Sequence, residues 1–142
     1  MPLIYVTLKK GKPAVYRHAI HKGIQEALIE VFNLPDDDYA GVTIQADPDE
    51  MYYDPNFFGV PRSEDLIFID MSWNKRTPEI KLQLFEKIAD NLGADPGIKR
   101  ADVLLTVKET PSENWWVHGR TINPETGLDS RIGVVPEGSL DR

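Results

Sequence analysis

The sequence contains no cysteine, which excludes disulfides, thiolate metal sites and a cysteine nucleophile, and fits a reducing compartment. Histidine is scarce: His18, His21 and His118 show none of the spacings of zinc proteases or zinc fingers. Positive charge is also short. Sixteen Lys and Arg against 23 Asp and Glu leave a net charge of −7, and no basic block offers the surface that a nucleic-acid backbone requires, which argues against DNA or RNA as a partner. No apolar run approaches the roughly 18 residues of a membrane-spanning helix. The N-terminus likewise lacks the basic region and long apolar core of a signal peptide. The expectation is a soluble, cytoplasmic protein with no membrane partner. With 142 residues, 41% hydrophobic and 9% aromatic, the chain has the size and apolar content of a single domain spanning residues 1–142.

What the sequence does contain is an internal repeat. A shift of 63 lays Leu3-Ile4-Tyr5-Val6 on Leu66-Ile67-Phe68-Ile69, and the same shift lays Val42-Thr43-Ile44-Gln45 on Leu105-Thr106-Val107-Lys108. All four runs are β-branched or aromatic and read as strands. Between the members of each half the periodicity becomes helical. Ile20, Ile24, Ala27, Leu28 and Val31 form a stripe over residues 13–32, with Pro13 suited to the first turn and Asn33-Leu34-Pro35 ending the run. In the second half Thr77 can cap, Pro78 can occupy the first turn, and Ile80, Leu84, Ile88 and Leu92 form the stripe before Gly93 closes it. The stripes align with a shift of 64, so one residue must be absorbed in the connections.

Each half is therefore a strand, helix, strand unit, and a crossover helix between neighbouring strands makes them parallel. Unit one spans 2–46, an aromatic-rich connection 47–64 and unit two 65–109. The expected α/β (α+β) architecture is a four-stranded sheet with both helices on one face. Its bare face would carry apolar side chains, for which oligomerisation is the natural remedy. Residues 110–142 comprise a short hairpin around Trp115-Trp116-Val117 and Gly119, Arg120 and Ile122, then a tail from Pro124 that a neighbouring subunit would have to hold.

One residue at the start of this pattern carries chemistry. Pro2 follows Met1 and precedes the first strand, and is small enough for the initiator Met to be removed, leaving a secondary amine. An unperturbed α-amino group has a pKa of about 8, which burial or a nearby cation lowers. Such an amine can act as a general base when neutral, or as an acid or electrostatic catalyst when charged. A proline at the first position of a strand is equally compatible with ordinary strand geometry.

Pro2-Leu3-Ile4 at the head of two repeated units resembles the tautomerase superfamily, whose mature chains begin with a catalytic proline. The likeness runs from Pro2 to about Gly127 and looks closest to the fused group containing malonate semialdehyde decarboxylase and cis-3-chloroacrylic acid dehalogenase. By that resemblance Leu34-Pro35-Asp36-Asp37-Asp38-Tyr39 places Asp38 near the catalytic amine, where it would bind a water or orient the substrate; Asp36 and Asp37 read as a solvated turn. Trp73-Asn74-Lys75-Arg76 resembles the family's loop in which arginines hold a substrate carboxylate, with Arg76 in the matching position. Trp115 matches a pocket tryptophan that would form an apolar wall.

The departures are as informative. Asn74 and Trp73 stand where that group carries its second arginine, leaving Lys75, Lys10 or Arg120 to compensate. Val117 replaces the dehalogenase's water-activating glutamate, and Ala27-Leu28-Ile29 has no counterpart of its helix histidine, which argues against dehalogenation by that mechanism. His118 is a candidate proton-transfer group, though a hairpin histidine is equally read as solvated. The resemblance thus implies a homotrimer acting without metal or cofactor on a small anionic substrate: Pro2 moves a proton in an enol or 2-oxo acid while Arg76, with Asn74, Lys75 and Trp115, binds it. Two alternatives stay open. One is a decarboxylase or hydratase for a 3-oxo acid such as malonate semialdehyde, with cationic Pro2. The other is a non-catalytic oligomeric binding protein.

Overall fold

The structure, a computed structural model, describes residues 2–117, 120 and 121. Strand β1 (Leu3–Lys9), helix α1 (Ala14–Phe32) and strand β2 (Ala40–Ala46) form the first unit; β3 (Ile67–Trp73), α2 (Pro78–Ala94) and β4 (Val103–Glu109) form the second. The short strands β5 (Trp116–Val117) and β6 (Arg120–Thr121) pair as an antiparallel hairpin.

The helix ends follow from local chemistry. Pro13 lies just outside α1 in extended backbone, so it presets the entry and does not occupy the first turn; Asn33, at φ 57°, closes the helix in the left-handed region. Thr77 Oγ1 accepts from the Ile80 N–H at 3.3 Å, and Pro78 occupies the first position of α2. Gly93, expected to close α2, lies inside it. The helix runs to Ala94, and the N–H groups of Gly97 and Ile98 donate to the Leu92 carbonyl at 3.0 and 2.8 Å. That reversal needs the left-handed backbone of Gly97, at φ 101°, so the terminating glycine stands four residues later than the helical stripe implied.

The sheet order is β2-β1-β3-β4. β1 pairs in parallel with β2, β3 in parallel with β4, and the two units join through antiparallel β1 and β3. Alternation then decides which side chains meet the helices. Ile4, Val6 and Leu8 of β1 and Ile67, Ile69, Met71 and Trp73 of β3 face Ile20, Ile24 and Leu28 of α1 and Leu84, Ile88 and Leu92 of α2 in one core. The first strands keep the shift of 63, with Ile4, Val6 and Leu8 matching Ile67, Ile69 and Met71, and the helices keep the shift of 64; the second strands do not keep 63, because Val42 and Ile44 lie exposed on the opposite face whereas Leu105 and Val107 pack against the core. The extra residue falls between strand and helix, where β3 extends its core row by Trp73.

On the opposite face of the sheet, Tyr5, Val42 and Ile44 are exposed beside an ion pair of Lys108 with Asp70 at 2.8 Å. The connection between the units is tied down at one end. Both Ser63 N–H and Ser63 Oγ donate to the buried Asp102 carboxylate, at 2.7 and 2.6 Å, and the Arg62 guanidinium stacks 4.0 Å over the Phe57 ring. Tyr52 and Phe58 of that connection remain exposed. Among the described residues no helix is long and apolar enough to cross a membrane.

Candidate active site

The topology converges at the start of β1. Leu3 pairs with Ala40 on one side and with Ser72 on the other, so the residue before it, Pro2, emerges between the head of β2 and the tail of β3. Pro2 is buried and lines a cavity of about 520 Å³, together with Asp38, Ser72, Thr110, Trp115 and Val117. Asp38 reaches it because the turn after α1 brings the Asp38 N–H back to the Pro35 carbonyl at 3.1 Å, leaving the residue only 6% exposed. Trp115 is held by its indole N–H, which donates to the Thr110 carbonyl at 3.0 Å, while the Thr110 N–H donates to the Trp73 carbonyl at 2.8 Å. Trp116, also lining the cavity, is largely exposed. Pro2 and a carboxylate therefore share a partly apolar enclosure, where charges interact more strongly than in water.

Arg76, Asn74 and Lys75, in the loop after β3, stand at the same end of the fold but are not among the described residues that line this cavity, and Lys10 follows β1 at its opposite end. The Arg76 guanidinium lies 4.7 Å over the Phe32 ring, and its Nη1 donates to the carbonyls of Asn74 and Lys75 at 3.0 and 3.1 Å. Half burial pulls its pKa below the ordinary arginine value, with Glu109 opposing. The Arg76 backbone N–H donates to Glu109 Oε2 at 3.0 Å and Lys81 donates to Oε1 at 2.7 Å; the Lys81 bond first, then the N–H, hold Glu109 below the usual carboxylate range. Asn74 Nδ2 donates to Ser112 Oγ at 2.9 Å, tying this loop to the turn before Trp115. Lys75 is exposed. Trp73 turns inward, packing edge-on to Phe32 with ring centroids 4.9 Å apart, so the position that could have carried a second arginine is a core position here. Arg120 pairs through its backbone with Val117, and its side chain, like His118 and the tail from Ile122, lies outside the described residues.

Sequence reasoning missed a polar group directly behind the cavity. Tyr39, Gly41 and Thr43 face α1, and the half-buried His21 ring sits among them, with Nδ1 2.7 Å from Tyr39 Oη and Nε2 2.8 Å from Thr43 Oγ1. Burial, and then the nearby His18, lower the His21 pKa, while burial raises that of the Tyr39 phenol. The available signal was Gly41 itself, since a glycine inside a strand marks close approach by another group. Among the described residues no group of three or more His, Asp or Glu is arranged to hold a metal.

Comparison with known proteins bears on this arrangement. Residues 38–117 match the family described as tautomerase enzyme. A probable tautomerase, YusQ of Bacillus subtilis (strain 168), is 31% identical over 116 residues, covering 81% of this chain and 91% of that one. A malonate semialdehyde decarboxylase with decarboxylase and hydratase activities superposes with a TM-score of 0.76 at 22% identity, over 81% of this chain and 89% of its own. A fused 4-OT, a wild-type symmetric trimer, superposes with a TM-score of 0.69 at 16% identity, over 83% of this chain and 93% of its own. The chain belongs to the tautomerase family and is an enzyme of that superfamily, with its α+β fold.

Proposed function

We propose that, after removal of Met1, the Pro2 amine acts as a general base for keto–enol proton transfer on a small enol or 2-oxo acid bearing a carboxylate. The observation that carries this reading is the burial of Pro2 and Asp38 in one cavity walled by Trp115. A neutral secondary amine takes the proton from the enol hydroxyl, and the resulting ammonium returns it to the adjacent carbon, so no other reactant is needed. Asp38 orients substrate or water and stabilises the ammonium during that interval. Arg76, which stands at the same end of the fold, reaches the substrate's carboxylate by turning from the Phe32 ring and exchanging the Asn74 and Lys75 carbonyls for a charged acceptor, which forms the stronger bond. Lys75 and Asn74 belong to the same loop. A homotrimer closed over the bare sheet face would cover Tyr5, Val42 and Ile44, and the trimeric fused relative supports it.

The second reading, decarboxylation or hydration of a 3-oxo acid by a cationic Pro2 assisted by Asp38, is favoured by the likeness to malonate semialdehyde decarboxylase. The test is the ultraviolet rate of phenylenolpyruvate ketonisation by wild type and Pro2→Ala, on protein whose Met1 removal is checked by intact mass. A clear wild-type rate lost in Pro2→Ala supports proton transfer by the amine. Equal rates refute it, and no rate from a protein with free Pro2 directs attention to malonate semialdehyde.

A further inference from the structure

We propose that His21 is a positioning residue: its imidazole, seated over Gly41 and held between the hydroxyls of Tyr39 and Thr43, fixes the head of β2 and thereby sets where Asp38 stands against Pro2. The inference rests on the reading of Pro2 and Asp38 given above.

The geometry is that of a clasp. Residues two apart on a strand share a face, so Tyr39, Gly41 and Thr43 present hydroxyl, gap and hydroxyl toward α1 in a row. A Cβ on Gly41 would lie 2.6 Å from His21 Nδ1 and 2.8 Å from its Cε1, so the ring occupies space that only glycine leaves open. Both ring nitrogens are engaged, at 2.7 and 2.8 Å. A neutral imidazole has one donor and one acceptor nitrogen, and a hydroxyl can serve either, so the row satisfies the ring completely.

The clasp acts where the fold most needs it. β2 is at the edge of the sheet, joined among the described strands to β1 alone, so its head is held by the sheet from one side only. Tyr39 belongs both to the clasp and to the cavity lining, and it is covalently adjacent to Asp38. A shift of Tyr39 therefore carries Asp38 with it. Gly41, the centre of the row, pairs with Ile4, two residues from Pro2, so the same contact fixes the strand register on which both reacting groups depend.

The test uses Tyr39→Phe, which keeps the ring and removes the hydroxyl, and Thr43→Val, which removes the other hydroxyl at nearly constant shape. Each is made in the wild type and in Asp38→Asn, and kcat and KM for phenylenolpyruvate are measured with thermal unfolding alongside. The expected result is a fall in kcat of about tenfold for Tyr39→Phe, because small misplacements of reacting groups are costly, with KM within about twofold. In Asp38→Asn the same substitution should cost less than about twofold, since the positioned group is already gone. Thr43→Val should follow the same pattern and carries the test if Tyr39→Phe does not fold. Unchanged kcat in the folded variants, or an equal loss in both backgrounds, overturns the inference. Pro2→Ala separates the two claims. If it retains the wild-type rate, or no Pro2-dependent rate exists, the reading of the site fails and the positioning role with it. If it is inactive while Asp38→Asn is fully active, the positioning role alone fails.

Discussion

Replacing Gly41 by alanine tests the packing behind the site more sharply than any truncation. The added methyl would stand 2.6 and 2.8 Å from atoms of the His21 ring and 2.8 Å from Tyr39 Cε1, closer than carbon and nitrogen can approach. The ring must leave, and both of its hydrogen bonds go with it. Each such bond contributes about 0.5–1.5 kcal/mol net, whereas alanine for glycine within a strand returns about 0.5–1 kcal/mol of conformational entropy. The balance is a loss of up to about 2.5 kcal/mol, with about 1 kcal/mol as the central value. Urea unfolding followed by tryptophan fluorescence, at one protein concentration so that any subunit association is held constant, should show the midpoint falling by roughly 0.5–1 M. In a His21→Ala background the two contacts with the ring are gone and the one with Tyr39 Cε1 remains, so Gly41→Ala should cost clearly less than it does in the wild type. A Gly41→Ala protein as stable as wild type in the His21 background would refute the seating of the ring.

Four further outcomes follow from the same contacts. Trp115→Phe loses the indole bond to Thr110, at about 0.5–1.5 kcal/mol, and removes part of the cavity wall, widening the cavity; kcat/KM for phenylenolpyruvate should fall by up to about tenfold, and an unchanged value would remove Trp115 from the site. His21 binds its proton less readily when folded than when unfolded, so stability should fall as pH drops below about 6.5. Thermal melts at pH 7.5 and 5.5 should therefore differ less in His21→Gln than in wild type, and equal differences would contradict a buried neutral ring. Glu109 is held below its ordinary pKa, so its contribution is present above about pH 4.5 and is lost on acidification through its folded value; Glu109→Gln should be slightly less stable at pH 7, and the difference from wild type should shrink on acidification below that range. Ile88→Ala, at a fully buried core position, should cost about 2–5 kcal/mol in urea unfolding, and a loss below about 1 kcal/mol would contradict the shared core.

Most of the fold is legible because its determinants are periodic. Ile4, Val6 and Leu8 alternate, Ile20, Ile24 and Leu28 recur by four, and both patterns repeat in the second half, so the strand and helix units declare themselves. The helix ends were less legible. Gly93 looked like a terminator, but the decisive feature is the left-handed Gly97 beyond it, whose N–H returns to Leu92.

In the site, Pro2, Asp38 and Trp115 line one cavity. No spacing rule could place Arg76, whose guanidinium chose the face of Phe32 and two backbone carbonyls over the cavity. Nor does one-dimensional pattern show that Trp73 continues the β3 core row, which follows only from where the strand ends. The His21 clasp escaped notice for a related reason. Its members come from a helix and from alternate positions of a strand, and only packing brings them together.

The central claim is that the chemistry belongs to a neutral amine on Pro2. The most direct measurement is the ¹⁵N NMR signal of proline-labelled enzyme, freed of Met1 and observed at the pH of the ketonisation assay. A Pro2 nitrogen with the shift of an uncharged secondary amine is the predicted result. A fully protonated ammonium at that pH would contradict proton abstraction by Pro2 and favour the decarboxylase or hydratase reading.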